Sequence, residues 1–120
     1  MKTKYLILVF AAFLYSCGGG SDDSMNGNNN PPPVTGTVTY AKDIQPIVMT
    51  TCATASCHLG NSGTAGFGLE TYTLLKSAAQ NRPLFVRIQS STSPMPPTGK
   101  MSQATINLFL AWRDQGYLEN

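Results

Sequence analysis

The side chains of this chain that can do chemistry are concentrated in one short run. Cys52-Ala53-Thr54-Ala55-Ser56-Cys57-His58 puts two thiols and an imidazole within seven residues, and His58 is the one histidine in the 120-residue sequence. Thiolate and imidazole are the donors that soft and borderline metals, and cofactors built on them, prefer. Other chemistries compete for the same residues. In an exported domain the two cysteines could close a six-residue disulfide loop. Zinc would want a fourth ligand and, as a rule, a second ligand pair, and the rest of the domain has no further Cys or His. A nucleophile with its base is poorly served, because side chains adjacent in sequence rarely face one another.

The order of the run resembles the attachment motif of c-type cytochromes, in which two cysteines form thioethers with the haem vinyl groups and the next residue, a histidine, binds the iron. That resemblance implies Cys52 and Cys57 as the thioether residues of one covalent haem c and His58 as its proximal ligand. The spacing departs from the usual motif: four residues separate the cysteines where two are usual, so the loop between them must bulge. A single histidine excludes bis-histidine ligation within a monomer, which leaves methionine, water or a weaker group for the sixth position. Ser93-Pro94-Met95-Pro96-Pro97 offers Met95. Its thioether is a neutral soft ligand, and the flanking prolines hold the backbone extended and lower the entropy lost on ordering the loop. Met101 is the alternative distal ligand. Met49 precedes the cysteines too closely to cross the macrocycle, and Met25 lies in a linker.

The elements that must position these residues read as short helices separated by Gly, Pro and Ser loops, with no convincing alternating strand. A first helix is expected to start near Asp43 as cap, with Pro46 in its first turn and Ile44, Ile47 and Val48 on one face. Gly60 to Gly68 reads as loop. A second helix is expected over Leu69–Ala79, with Tyr72 and Leu75 on the side of Leu69. A third opens at Pro83 and carries Leu84, Phe85, Val86 and Ile88. The last has Ser102 as N-cap, a stripe of Ile106, Phe109, Leu110 and Trp112, and Gly116 as terminator. The expected fold class is all-α, about four short helices. Residues 40–120 make a small core, and domains of that size often need a staple such as a metal, disulfide or cofactor.

Taken together, Asp43-Ile44-Gln45-Pro46-Ile47, Pro83-Leu84-Phe85-Val86-Arg87-Ile88, Met95-Pro96-Pro97-Thr98-Gly99-Lys100-Met101-Ser102 and the helix from Ile106 through Trp112 to Gly116 resemble monohaem cytochrome c domains of the Planctomycete and Bacteroidetes type. The resemblance spans residues 40–120. It implies a small cytochrome c-like fold around one haem, with the terminal helix crossing the first so that Phe109 and Trp112 pack over Ile44 and Ile47.

The N-terminus reads as an address. Lys2 and Lys4 precede the nine-residue apolar run Leu6 to Leu14, whose helical rise of about 14 Å falls short of a hydrocarbon core of roughly 30 Å. Leu14-Tyr15-Ser16-Cys17 resembles a bacterial lipobox, which implies that residues 1–16 are a lipoprotein signal peptide and that Cys17 becomes a lipidated N-terminus. Multiple acyl chains on one residue anchor stably. Residues 17–39 then read as a flexible linker, rich in Gly and Asn and stiffened toward its far end by Pro31-Pro32-Pro33, with Met25 as its large apolar side chain and a reach on the order of 26 Å. Gly18, in place of the Asp associated with inner-membrane retention, points to the outer membrane facing the periplasm. Ser21-Asp22-Asp23 resembles export tags of some surface lipoproteins, which would put the domain on the cell surface.

Charge narrows the partners. Lys2 and Lys4 account for the whole formal charge of +2, so a processed chain is neutral and a nucleic-acid partner held by phosphate neutralisation is not expected. Charged residues are 12% of the sequence, which excludes a highly charged solvating protein. The expected function is a membrane-tethered electron carrier, a monomer without bond-making chemistry of its own, meeting redox proteins transiently. Lys42, Lys76, Arg82, Arg87 and Lys100 are candidates for a mildly basic docking rim. The alternatives are a disulfide-closed extracytoplasmic interaction module without cofactor, a haem-based sensor or ligand binder, or the redox module of a larger oxidoreductase assembly.

Overall fold

The computed structural model describes residues 31–60 and 63–120. The expectations for the signal peptide, for Cys17 and for most of the linker fall outside those residues. Among the described residues the protein is all-α, with no strand.

Thr39 opens the first helical segment. Its side chain accepts the Lys42 N–H at 3.4 Å, and its own N–H donates to Asp43 Oδ2 at 2.9 Å, so two donors without helical partners satisfy each other's residues reciprocally. The cap is therefore Thr39, and Asp43, expected to start the helix, is the acidic partner one turn inside it. Pro46 has no N–H to give to a carbonyl one turn back, and its ring crowds that turn. The ladder widens ahead of it: the Ile44 and Gln45 N–H groups reach Thr39 and Tyr40 carbonyls, five residues back. Tyr40–Ile44 thus form a π-helical turn that runs straight into α1, Gln45–Thr51.

α2 (Tyr72–Asn81) begins later than Leu69, because Thr71 is extended and its hydroxyl accepts the Leu74 N–H at 3.3 Å. Leu69 is buried all the same, ahead of the helix. α3 (Leu84–Gln89) follows Pro83, as the sequence expects, and buries Ile88, while Val86 is 69% exposed and belongs to the surface. α4 (Gln103–Asp114) is capped by Ser102, whose hydroxyl accepts the Thr105 N–H at 3.1 Å. It ends in a Schellman pair: Gly116 N–H to Arg113 O at 3.0 Å and Tyr117 N–H to Trp112 O at 2.8 Å, with Gly116 at φ +84°. Ile106, Phe109 and Trp112 are its buried stripe, and Leu110 is half-buried.

Ile44, Val48, Leu75, Ile106, Phe109 and Trp112 are the large side chains at the centre of the core. α4 lies against the π-helical turn and α3, and α2 packs on α3. Trp112 is enclosed by aromatic rings, Tyr117 edge-on at 5.0 Å, Tyr40 at 6.3 Å and Tyr72 at 6.5 Å between centroids, and its Nε1–H donates to Leu118 O at 2.8 Å. Ile47 packs on the rim of the core, so the burial beneath α4 falls to Ile44 and Val48. The chain ends are tied together. Leu118 and Glu119 carbonyls accept the Tyr40 and Ala41 N–H groups at 2.8 and 2.9 Å, supplying partners that the first turn cannot supply itself.

The end of the linker belongs to this unit. Val38 is buried and Val34 packs on the core, and the Gln115 side chain accepts the Val38 N–H at 2.8 Å while donating to Gly36 O at 3.0 Å. The folded edge lies near Val34 and not at Tyr40. Composition averaged over the whole stretch hides the two valines, which are spaced to dock.

Candidate cofactor site

The first α-helix delivers the site. Cys52 is the C-cap residue of α1, where its N–H and that of Ala53 both turn onto Val48 O at 2.9 and 2.7 Å. The chain then folds back: Cys57 N–H donates to Thr54 O at 2.9 Å, and His58 N–H donates to Cys52 O at 3.1 Å. The four residues between the cysteines therefore form a closed bulge that returns His58 to the level of Cys52. Gly63 packs on the outside of that bulge, where a Cβ would run into the Cys57 carbonyl.

Cys52, Cys57, His58 and Met95 all line one cavity of about 620 Å³. That volume lies in the range of small-molecule and cofactor sites. Its wall is mainly apolar, with Phe67 and Leu69 from the loop after His58, Leu75 and Ala78 from α2, Leu84 and Ile88 from α3, and Phe109 from α4. Met95 reaches it from the loop after α3, whose backbone is tied to that helix by the Met95 N–H donating to Arg87 O at 3.1 Å. Met101, the rival ligand, is not part of the wall and packs against the hydrophobic core.

Both thiols are free and half-buried. Burial, with a smaller contribution from Cys57 nearby, pushes the Cys52 thiol up to about 11, so it is protonated at neutral pH. The His58 Nδ1 lies 3.3 Å from Phe67 O, and since a carbonyl can only accept, Nδ1–H is the donor in that bond, which leaves Nε2 of the neutral ring as the nitrogen with a lone pair. Among the described residues no three Cys, His, Asp or Glu side chains converge where a metal ion would sit.

Phe67 is the site residue that reading the sequence missed. It lies in the Gly-rich loop, where its carbonyl orients His58 and its ring lies 4.5 Å from the imidazole at 52°. The available signal was a single aromatic between two glycines, nine residues after the histidine. The basic residues also divide. Arg82 and Arg87 lie on the cavity wall, while Lys42, Lys76 and Lys100 do not. Lys76 is engaged with Tyr72, its Nζ donating to the hydroxyl at 3.0 Å.

Compared with known protein families, curated proteins and solved structures, the chain matches none.

Proposed function

We propose that this protein is a membrane-tethered electron carrier for one covalent haem c, which Cys52 and Cys57 would hold through thioethers and whose iron His58 and Met95 would bind. The observation that carries the reading is that Met95, 37 positions beyond His58 in the sequence, lines the same apolar cavity as the Cys52–His58 bulge. The residues present fit the group: unbridged thiols, an imidazole with Nε2 free, a thioether, and an apolar wall around a volume of cofactor size. When bound, haem supplies reversible one-electron exchange between ferric and ferrous iron.

The chain's own residues would do the rest. The apolar wall excludes water and lowers the local dielectric, which penalises the more highly charged oxidised state. The Phe67 carbonyl, accepting from Nδ1–H, would hold the azimuth of the His58 ring. Met95 donates a neutral soft sulfur from a loop pinned to α3, favouring reduction. The role is electron exchange with transient protein partners and makes no bond in a substrate. The Cys17 anchor and the linker would hold the domain off the membrane, at the outer membrane facing the periplasm or on the cell surface.

The test is haem staining of the purified protein on a denaturing gel, from cells with cytochrome c maturation, beside Cys52→Ala and Cys57→Ala. Haem that stays on the parent under denaturation and weakens in both variants is the expected result. A parent without haem whose Cys52 and Cys57 are disulfide-linked overturns the reading and leaves a tethered interaction module.

A further inference from the structure

Arg82 stands where α2 stops. Its N–H closes that helix on Ala78 O at 2.9 Å, and the following Pro83 restricts its backbone to the extended conformation it adopts, φ −128° and ψ 161°. From that fixed base the guanidinium lies over the Phe67 ring, 4.0 Å from the centroid, and among the described residues it is in no ion pair. The same Phe67 ring contacts the His58 imidazole at 4.5 Å, and the same residue's carbonyl accepts the Nδ1–H. One aromatic residue thus connects a cation on α2 to the imidazole by two contacts, one through its ring and one through its backbone.

From this geometry we infer that Arg82 is a positioning residue for His58, acting through Phe67. The inference rests on the haem reading above. A cation held over an aromatic face is attracted by the ring quadrupole, by roughly 0.5–1 kcal/mol at an exposed site. Arg82 is exposed, so that attraction does not hold the fold together. Its consequence is local: it keeps the Phe67 ring against the imidazole and the Phe67 carbonyl aimed at Nδ1. The backbone around that ring is tied by the Ala65 N–H to Cys57 O and the Leu69 N–H to His58 O, with Phe67 between these ties, so without the guanidinium Phe67 can shift and its 3.3 Å hydrogen bond to Nδ1 lengthens. The arginine's planar fork matters as well as its charge, since a guanidinium can stack on an aromatic face where an ammonium makes a point contact.

The experiment uses the full haem-loaded chain and four variants, Arg82→Gln, Arg82→Lys, Phe67→Leu and the double Arg82→Gln/Phe67→Leu, read by equilibrium midpoint potential and by the paramagnetically shifted proton resonances of the His58 ring. Arg82→Gln is expected to raise the preference for the ferrous form by up to about fivefold, because a lengthened Nδ1–H···O bond makes the imidazole a weaker donor to ferric iron, and to move the His58 resonances, with Arg82→Lys recovering only part of both. The double variant is expected to shift the potential no further than Phe67→Leu alone, because the arginine acts through a ring that is already gone. Additive shifts in the double variant, or an Arg82→Gln protein whose potential falls while its His58 resonances stay in place, would show a plain charge effect and overturn the inference. The resonances of Arg82→Gln decide the matter alone if Phe67→Leu does not fold. Haem staining of every variant keeps the two readings apart: stained variants with unshifted potentials and resonances sink the role of Arg82 and leave the haem reading standing, whereas an unstained parent sinks both.

Discussion

Cys52 carries two properties at once, a place on the cavity wall and a thiol whose ionisation is pushed from its ordinary value of 9.0 to about 11 by burial. In chain produced without haem attachment its folded-state value is raised above the unfolded one. Its contribution to stability is therefore whole below pH 9.0 and is lost as pH rises through about 11. Urea denaturation of that material at pH 8, 10 and 11 is expected to show falling stability, with Cys52→Ser flattening the slope; thioether formation removes the titrating group, so haem-loaded protein loses this part of the slope. The two methionines separate as cleanly. On the proposed reading, Met95→Ala should lower the midpoint potential by taking the soft sulfur from the iron, whereas Met101→Ala, outside the cavity, should leave the potential in place and cost about 1 kcal/mol of stability in a denaturant titration. A potential that follows Met101 and not Met95 would exchange their roles. Both methionines were visible as candidates in the sequence, but proximity to His58 was not, because it depends on how the loop after α3 is tied back to Arg87.

At the scale of elements, the residues with short-range physics were readable. Ser102 as N-cap and Gly116 as terminator of α4 came directly from residue type, since both act on backbone within one turn. Thr71 and Thr39 were passed over in favour of Leu69 and Asp43, although a threonine before a helical run carries the same signal. The Cys52–Cys57 bulge illustrates the limit. Its closure by His58 N–H on Cys52 O and its backing by Gly63 join residues across a loop that has no periodicity to read. Gly63→Ala should push the loop off the Cys57 carbonyl, cost about 1–3 kcal/mol and reduce haem incorporation, measured together as the denaturation midpoint and the haem-to-protein ratio. Full incorporation at unchanged stability would show that the bulge does not depend on that close approach.

For the whole molecule, the N- and C-terminal segments hold each other. Gln115 binds Gly36 and Val38, and Leu118 and Glu119 accept from Tyr40 and Ala41. Gln115→Ala should cost about 1–2 kcal/mol, one half-buried and one exposed hydrogen bond, and should raise proteolytic cleavage between Val34 and Thr39. Cleavage no faster than in the parent would return that stretch to the linker. Trp112→Phe should cost about 2–3 kcal/mol in thermal or denaturant unfolding by removing the Nε1–Leu118 bond and opening a void among Tyr40, Tyr72 and Tyr117.

Residue types and their order along the chain were enough for the all-α class, the last helix with both its ends, and the side chains to watch, Cys52, Cys57, His58 and Met95. Those follow from residue type, short spacing and helical period, interactions that a chain reveals within a few positions of itself. Only the tertiary structure decided that Met95 and not Met101 lines the cavity with His58, that Phe67 orients the imidazole while Arg82 lies over its ring, and that Val34 to Thr39 is docked. Each of these joins segments distant in sequence or crosses an aperiodic loop, where packing and single hydrogen bonds select the partner and no local pattern encodes the choice.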